Sequence, residues 1–159
     1  TKKQTTSSKL PGYCTRETTG QVYAFGASSI SQLNSAYSQN FKNAAKYIAE
    51  IEKNNLAVYR GYSVNKEQKI VRDVINSIMC NYYLDIEEIA SINNCNRQEV
   101  IRIIDFDSKK FEDFIFDGLL KIEKFKLSVF EKGRLFTRNI AMRFDPLINQ
   151  KIGTYSNTI

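Results

Sequence analysis

The strongest constraint on the fold is a helical repeat of apolar residues in the middle of the chain. Side chains three and four positions apart lie on one face of an α-helix. Over residues 66–81 the apolar positions follow that spacing and form one continuous stripe. The pattern predicts an amphipathic helix there, with the stripe made of Ile70, Val71, Val74, Ile75, Ile78 and Met79.

After this helix, the sequence predicts two short helices joined by a tight turn. Asp85 stands at the expected cap of the first, since an aspartate side chain accepts hydrogen bonds from the first turn of a helix. The asparagines that follow can adopt the left-handed conformation that such a turn needs, and the second helix is expected from about Asn96. The helices would pack through Ile86, Ile89, Ala90, Val100, Ile101 and Ile104.

The remaining part predicts a third helix, a β-hairpin and a last helix over about residues 132–143 that ends before Pro146. Apolar residues alternate on both sides of Lys124-Phe125, as they do in two paired strands. Helices followed by a helix-turn-helix and a hairpin indicate a winged-helix-like module. The residues behind these predictions are Phe111, Phe114, Ile115 and Leu119 for the helix, and Leu120, Ile122, Leu127 and Val129 for the hairpin.

The first half of the chain predicts a strand, a loop and a helix. The segment "QVYAFG" (21–26) is short, aromatic and β-branched, which favours a buried strand. The overlapping stretch "AFGASSISQLNSAYSQN" (24–40) is rich in serine and predicts a loop, and residues 56–64 predict an extended connector or an edge strand. Between them, one helical face would carry Phe41, Ala44, Ala45, Ile48 and Ile51.

These elements predict a mainly α-helical chain with short β elements. Residues 1–11 are expected to be disordered or a linker, 12–55 the tail of an α/β domain, 56–64 a connector, and 65–159 a helical, winged-helix-like domain with a hairpin. The chain does not begin with methionine. We therefore expect a piece of a longer protein, or a processed one.

The sequence lacks the residues that several kinds of catalytic and metal-binding site require. The chain has no histidine, which excludes histidine-based catalysis and histidine-ligated metals within it. Cys14, Cys80 and Cys95 match no common zinc or haem spacing, and we expect free thiols and no metal site in this chain. No apolar run approaches the ~20 residues of a membrane helix, and no signal peptide is present, so we expect a cytoplasmic protein with no membrane partner.

The net charge of +6 is concentrated in the C-terminal part. Residues 121–143 contain seven basic side chains and two acidic ones. Such a stretch suits an anionic partner, either a nucleic acid or a polycarboxylate, but it is more often an ordinary solvated face. Its arginines are Arg134, Arg138 and Arg143.

A helix-turn-helix raises the possibility of DNA binding. Arg97, Gln98 and Arg102 would face the groove from the second helix. Glu99 and Asp105 flank the same polar face and oppose that interpretation. We therefore expect no nucleic-acid partner.

The serine-rich loop is a second candidate site. Small residues at Gly26, Ala27, Ser28 and Ser29 would let a ligand or another backbone approach closely. At the carboxyl end of a strand in an α/β fold, ligands commonly bind. The alternative is a serine-rich turn that caps the next helix.

An ordered set of segments resembles a known family. "GYCT" (12–15), "YAFGASSISQLNSAYSQN" (23–40), "RGY" (60–62), "RDVINSIMCNYYLD" (72–85), "DGLL" (117–120) and "KGRLFTRNIAMRFD" (132–145) occur at matching spacings. Together they resemble the C-terminal third of bacterial oxygen-independent coproporphyrinogen III oxidase, a radical-SAM enzyme of haem synthesis. The resemblance covers about residues 12–159.

The resemblance implies the end of a partial α/β barrel that binds S-adenosylmethionine and a [4Fe–4S] cluster, followed by a helical domain. It places Ile30 against S-adenosylmethionine, with Gly26 and Ser28 shaping the site beside it. The family's CxxxCxxC cluster motif is absent from this sequence. The chain alone is therefore expected to bind neither cofactor and to be inactive.

For the intact enzyme, the resemblance implies oxidative decarboxylation of coproporphyrinogen III to protoporphyrinogen IX. It implies a monomer whose partner is this small-molecule substrate. The basic stretch is a candidate for recognising the substrate's carboxylates, since arginine pairs well with carboxylates. The alternatives are a nucleic-acid-binding winged helix and a protein-interaction domain.

Overall fold

The computed structural model describes residues 21–54 and 56–146. The chain separates into two compact units, and the boundary between them in the sequence lies between Asn65 and Lys66. Both units combine helices with short strands. Predictions for residues 1–20 and 147–159, including the proposed linker, lie outside the described residues.

The first unit contains a three-stranded antiparallel sheet and one helix. Its elements are β1 (Ile30–Gln32), β2 (Ala36–Asn40), α1 (Ala44–Asn54) and β3 (Val58–Ser63). The strand order is β1-β2-β3, with Ile30 opposite Gln39 and Tyr37 opposite Tyr62. The predicted helix is confirmed, but it begins at Ala44, so Phe41 of the predicted face lies before it. Residues 58–63 form the edge strand that was one of two alternatives for this segment.

The predicted strand over residues 21–26 is wrong. Val22 makes only an isolated bridge with Gln32, and Phe25 is 87% exposed. The serine-rich stretch itself forms β1 and β2, with Leu33 donating to the carbonyl of Ala36 across the bend at 2.7 Å. Serine disfavours strands only weakly, and pairing with β3 outweighs that preference.

The first unit buries very little apolar surface. Among its described residues, Ala57 is the single buried hydrophobic side chain. A stable three-stranded sheet needs a covered hydrophobic face, and α1 does not provide enough cover. The exposed large apolar side chains of this unit are Tyr23, Phe25, Ile30, Ile48, Leu56, Val58, Tyr59 and Tyr62.

The second unit packs its elements around α2 (Lys66–Asn81). Its three-stranded antiparallel sheet has the order β4-β6-β5. The other elements are β4 (Tyr83–Asp85), α3 (Ile86–Ile92), α4 (Arg97–Ile103), a 3-10 helix (Ser108–Phe111), α5 (Glu112–Phe116), β5 (Leu120–Glu123), β6 (Lys126–Val129), a 3-10 helix (Glu131–Phe136) and α6 (Thr137–Met142).

The predicted stripe of α2 forms the middle of one continuous core. Ile70, Val74 and Ile78 are fully buried, and Val71, Ile75 and Met79 pack partly exposed beside them. Burying an isoleucine or valine contributes about 1.5–3 kcal/mol. The other fully buried large side chains of this core are Leu84, Ile86, Val100, Phe111, Leu120, Leu127, Ile140 and Phe144.

The predicted helix ends of the helix pair are confirmed. The side chain of Asp85 accepts from the backbone N–H of Glu87 at 3.0 Å, and that of Asn96 accepts from Glu99 at 2.8 Å. Asn94 adopts the left-handed conformation in the turn, with φ of 49°. Local hydrogen bonding therefore determines where α3 and α4 begin.

Asp85 also ties β4 to the hairpin. Its carboxylate lies 2.8 Å from the ammonium of Lys126, and that hydrogen bond lowers the pKa of Asp85 below its usual value. The same bond raises the pKa of Lys126. Because the folded-state pKa of Asp85 is the lower one, this stabilisation is present above the unfolded-state pKa and is lost as the pH falls through the folded one.

Two predicted helices differ from the structure. The third ends at Phe116, before Leu119, because Asp117 and Gly118 leave the helix and Gly118 has a φ of 64°. The last begins as a 3-10 helix, and α6 covers only Thr137–Met142. The hairpin is as predicted, with Lys124 in its turn at a φ of 56°.

Gly133 is where the 3-10 helix packs on the chain before the hairpin. A Cβ at this position would lie 2.1 Å from the carbonyl oxygen of Leu119 and 2.9 Å from Cγ1 of Val129. The same carbonyl accepts from the N–H of Phe130 at 2.9 Å. The glycine is therefore required by close packing.

We predict that Gly133→Ala destabilises the second unit, because backbone atoms cannot move aside as a flexible side chain can. Overpacking of this kind costs about 1–3 kcal/mol, measurable by urea unfolding. Gly61→Ala is the matched control, because its Cβ would meet only the Tyr37 carbonyl at 3.6 Å. Equal unfolding midpoints for both variants would contradict the packing argument.

Candidate functional site

The segment from Ala24 to Ile30 forms a tight turn that leads into β1. Gly26 has a φ of 100° and Ser28 a φ of 64°. The N–H of Ser28 donates to the carbonyl of Phe41 at 2.8 Å, which joins the turn to the end of β2. The positive φ at Gly26 is the reason for a glycine there, because L-residues with a side chain rarely adopt it.

Asn40 holds this turn through its side chain. Its amide Nδ2 donates to the carbonyl of Gly26 and to Oγ of Ser29, both at 3.1 Å. The hydroxyl of Ser29 donates to the same Gly26 carbonyl at 2.7 Å, and the N–H of Gly26 donates to the Tyr47 hydroxyl at 3.1 Å. This role of Asn40 is not predictable from the sequence, because nothing in the local pattern shows that its side chain folds back onto the turn.

Ile30 follows the turn as the first residue of β1. Its side chain is 54% exposed, and its backbone pairs with Gln39. Gly26, Ser28 and Ile30 thus belong to one hydrogen-bonded segment that runs from the turn into β1. The arrangement presents an apolar side chain beside a rigid backbone turn, which is suited to form one wall of a ligand site.

Most cations of the basic stretch have partners within the second unit. Lys126 pairs with Asp85, and Lys121 lies 3.1 Å from Glu123. Arg143 bonds to Asp113 at 2.8 Å, and Arg134 lies over the ring of Tyr82, 4.7 Å from its centroid. These four cations stabilise the fold and are poorly placed to serve as a free anion-binding surface.

The arginines expected to face a DNA groove are also engaged. Arg97 lies 2.5 Å from Glu87 and 4.2 Å from the centre of the Phe125 ring. Arg102 lies 3.1 Å from Glu67. Their charges are largely compensated by neighbouring carboxylates, which weakens the attraction for phosphates.

Comparison with known proteins identifies the relatives. The chain is 33% identical over 143 residues to oxygen-independent coproporphyrinogen III oxidase of Escherichia coli, an alignment that covers 88% of this chain and 30% of the relative. The enzyme of the same name from Thermostichus vulcanus is 33% identical over 156 residues, with 93% and 45% covered.

A solved structure gives the same result. Coproporphyrinogen III oxidase HemN of Escherichia coli, described as a radical SAM enzyme, matches with a TM-score of 0.67 and 31% identity. The match covers 80% of this chain and 29% of that structure. The chain is a homologue of oxygen-independent coproporphyrinogen III oxidases. No protein-family model matches it.

The predicted resemblance to coproporphyrinogen oxidases is therefore confirmed, and so is the fold at the level of a mixed helix and strand structure. The chain spans less than half the length of these relatives. Within residues 21–54 and 56–146, no helix is both long and apolar enough to cross a membrane.

The thiols do not fit the iron–sulfur cluster that a radical SAM enzyme uses. Cys80 is buried on α2, and Cys95 lies in the turn between α3 and α4, where burial raises the pKa of its thiol. No group of three or more cysteine, aspartate or glutamate side chains in the described part of the chain could hold a metal ion. Cys14 lies outside that part.

We predict that Asn40→Ala loosens the turn that carries Ile30, since it removes two donors to Gly26 and Ser29. Each hydrogen bond lost contributes about 0.5–1.5 kcal/mol, and the Gly26 carbonyl keeps its bond from the Ser29 hydroxyl. Amide hydrogen exchange of residues 24–30 should become faster. Ser38→Ala on the same strand is the control and should leave that exchange unchanged; unchanged exchange in Asn40→Ala would show that the turn does not depend on this side chain.

Proposed function

We propose that this chain is the C-terminal part of an oxygen-independent coproporphyrinogen III oxidase. The intact protein would convert the two propionate side chains of coproporphyrinogen III to vinyl groups by oxidative decarboxylation, giving protoporphyrinogen IX in the cytoplasm. The observation that carries this proposal is the identity of about a third over nearly the whole chain with several enzymes of this name.

The first unit supports a role as the end of a larger α/β domain. Its described residues bury only Ala57 among their hydrophobic side chains, while Ile48 on α1 and Tyr59 on β3 stay exposed. An apolar surface of this extent normally has a partner. Upstream sequence of the intact enzyme would cover it, and the incomplete coverage of the relatives agrees with this.

The turn and Ile30 would supply one wall of the S-adenosylmethionine site. The exposed Ile30 side chain suits an apolar part of that ligand, and the Gly26 and Ser28 backbone keeps the wall rigid. S-adenosylmethionine would supply the radical that starts the reaction. The iron–sulfur cluster would be held by cysteines outside this chain, so we propose that the chain alone is inactive.

The second unit would be a winged-helix-like domain used as a scaffold. The succession of α2, β4, α3, α4, β5 and β6 agrees with that topology, with a 3-10 helix and α5 inserted between α4 and β5, and β6 lies between β4 and β5 in the sheet. Arg97 and Arg102 are paired with Glu87 and Glu67, which favours a structural role over nucleic-acid binding.

The function is tested by joining the chain to its natural upstream sequence and assaying it without oxygen. With S-adenosylmethionine and a reductant, the intact protein should convert coproporphyrinogen III to protoporphyrinogen IX, followed by chromatography after oxidation. The chain alone is the control and should give no product. An upstream sequence without a CxxxCxxC motif, or an intact protein without this product, would contradict the proposal.

For the cofactor wall, we predict that Ile30→Asp weakens S-adenosylmethionine binding by the intact protein. The substitution places a charge against an apolar contact, and its desolvation is unfavourable. Equilibrium dialysis should show roughly a tenfold loss or more, equivalent to about 1.4 kcal/mol. Ile92→Asp, at a similarly exposed isoleucine of α3, should bind normally; equal affinities would remove Ile30 from the site.

A further inference from the structure

The three arginines of the basic stretch differ in their surroundings. Arg134 lies over Tyr82, and Arg143 donates to Asp113 at 2.8 Å and to the Lys110 carbonyl at 3.0 Å. Arg138 is exposed on α6 and makes no ion pair or hydrogen bond with any residue in 21–54 or 56–146. Of the three, it is the one whose charge no described residue pairs with.

Arg138 stands beside an apolar groove between α2 and α6. The groove measures about 180 Å³ and is open to solvent on one side. Most of its lining is hydrocarbon or thioether, so it can cover an apolar surface. Its lining residues are Ile75, Met79, Arg138, Ala141, Met142 and Asp145.

We propose that this groove binds one propionate-bearing pyrrole edge of a tetrapyrrole polycarboxylate, with Arg138 pairing to the carboxylate. A guanidinium beside an apolar groove is complementary to a ligand that joins an apolar ring to a short carboxylate arm. Ligand pockets that enclose a whole drug-sized molecule have about 300–1,000 Å³. A groove of this size therefore fits an edge of the macrocycle and leaves the rest outside.

Asp145 adds a negative charge to the groove, which affects where the ligand's carboxylate can bind. It lines the same groove and has an interaction of its own. Its negative charge disfavours a carboxylate nearby, because like charges at short distance repel. The propionate would therefore pair with Arg138, and the apolar ring edge would lie against the hydrocarbon and thioether lining.

This inference rests on the proposed function for the identity of the ligand. The test is a titration of the 159-residue chain with coproporphyrin III, the stable oxidised form of the proposed substrate, followed by porphyrin fluorescence anisotropy. Arg138→Gln should lower the affinity roughly tenfold or more, as expected for loss of a charge-assisted hydrogen bond. Arg138→Lys, which keeps the charge and loses the planar fork, should fall between.

Lys124→Gln is the matched control. Lys124 lies in the hairpin turn, has no ion pair with a described residue and carries the same charge, so its loss changes the net charge equally and should leave binding unchanged. The tetramethyl ester of coproporphyrin III should bind wild type and Arg138→Gln alike. Because Arg138 bonds to no described residue, its variants should keep the wild-type unfolding midpoint.

Two results would overturn the inference: no binding of coproporphyrin III by the wild-type chain, or equal losses in Arg138→Gln and Lys124→Gln. Either result leaves the proposed function standing if the intact protein still forms protoporphyrinogen IX. Conversely, the proposed function would be contradicted, and the inference kept, if the intact protein formed no protoporphyrinogen IX while the chain still bound the porphyrin through Arg138.

Discussion

Burial of one face of α2 is the interaction on which the second unit depends. Ile70, Val74 and Ile78 are excluded from solvent, and the remaining helices and the β4-β6-β5 sheet pack around them. The free energy gained by hydrophobic burial is roughly proportional to the apolar area removed from water. A long apolar stripe on one helix can therefore stabilise several short elements that would be unstable alone. Helices as short as α3 and α4 are marginal in isolation.

A partly buried polar cluster also orients the elements in this packing. Lys69 on α2 donates to Asp73 at 2.9 Å and to the side chain of Asn93 at 2.8 Å, and Asn93 donates to Asp73 at 3.0 Å. The cluster connects α2 with the turn after α3 and satisfies the buried amide of Asn93. Hydrogen-bonded groups need defined partners, so this contact specifies an orientation that apolar packing alone does not.

The two units differ in how complete their hydrophobic cores are, and this difference bears on function. The second unit has a complete core, whereas the described part of the first exposes most of its large apolar side chains. The proposed cofactor wall lies on the first unit and the proposed carboxylate groove on the second. A protein divided in this way would need its upstream sequence to cover the first unit and to complete the cofactor site.

Periodicity and local capping were sufficient to predict α1, α2, the α3–α4 pair and the hairpin, because each of these is determined by residues close in sequence. The Ile70–Met79 stripe, the Asp85 cap, the asparagine turn and the alternation around Lys124 are local signals. The strands β1 and β2 escaped prediction, since their pairing with β3 depends on residues up to Ser63 and overrides the low strand preference of serine. Tertiary structure alone also decided that Asn40 clamps the Gly26 turn and which arginine of the basic stretch pairs with no described residue. Those outcomes depend on contacts between residues distant in sequence, which no local pattern records.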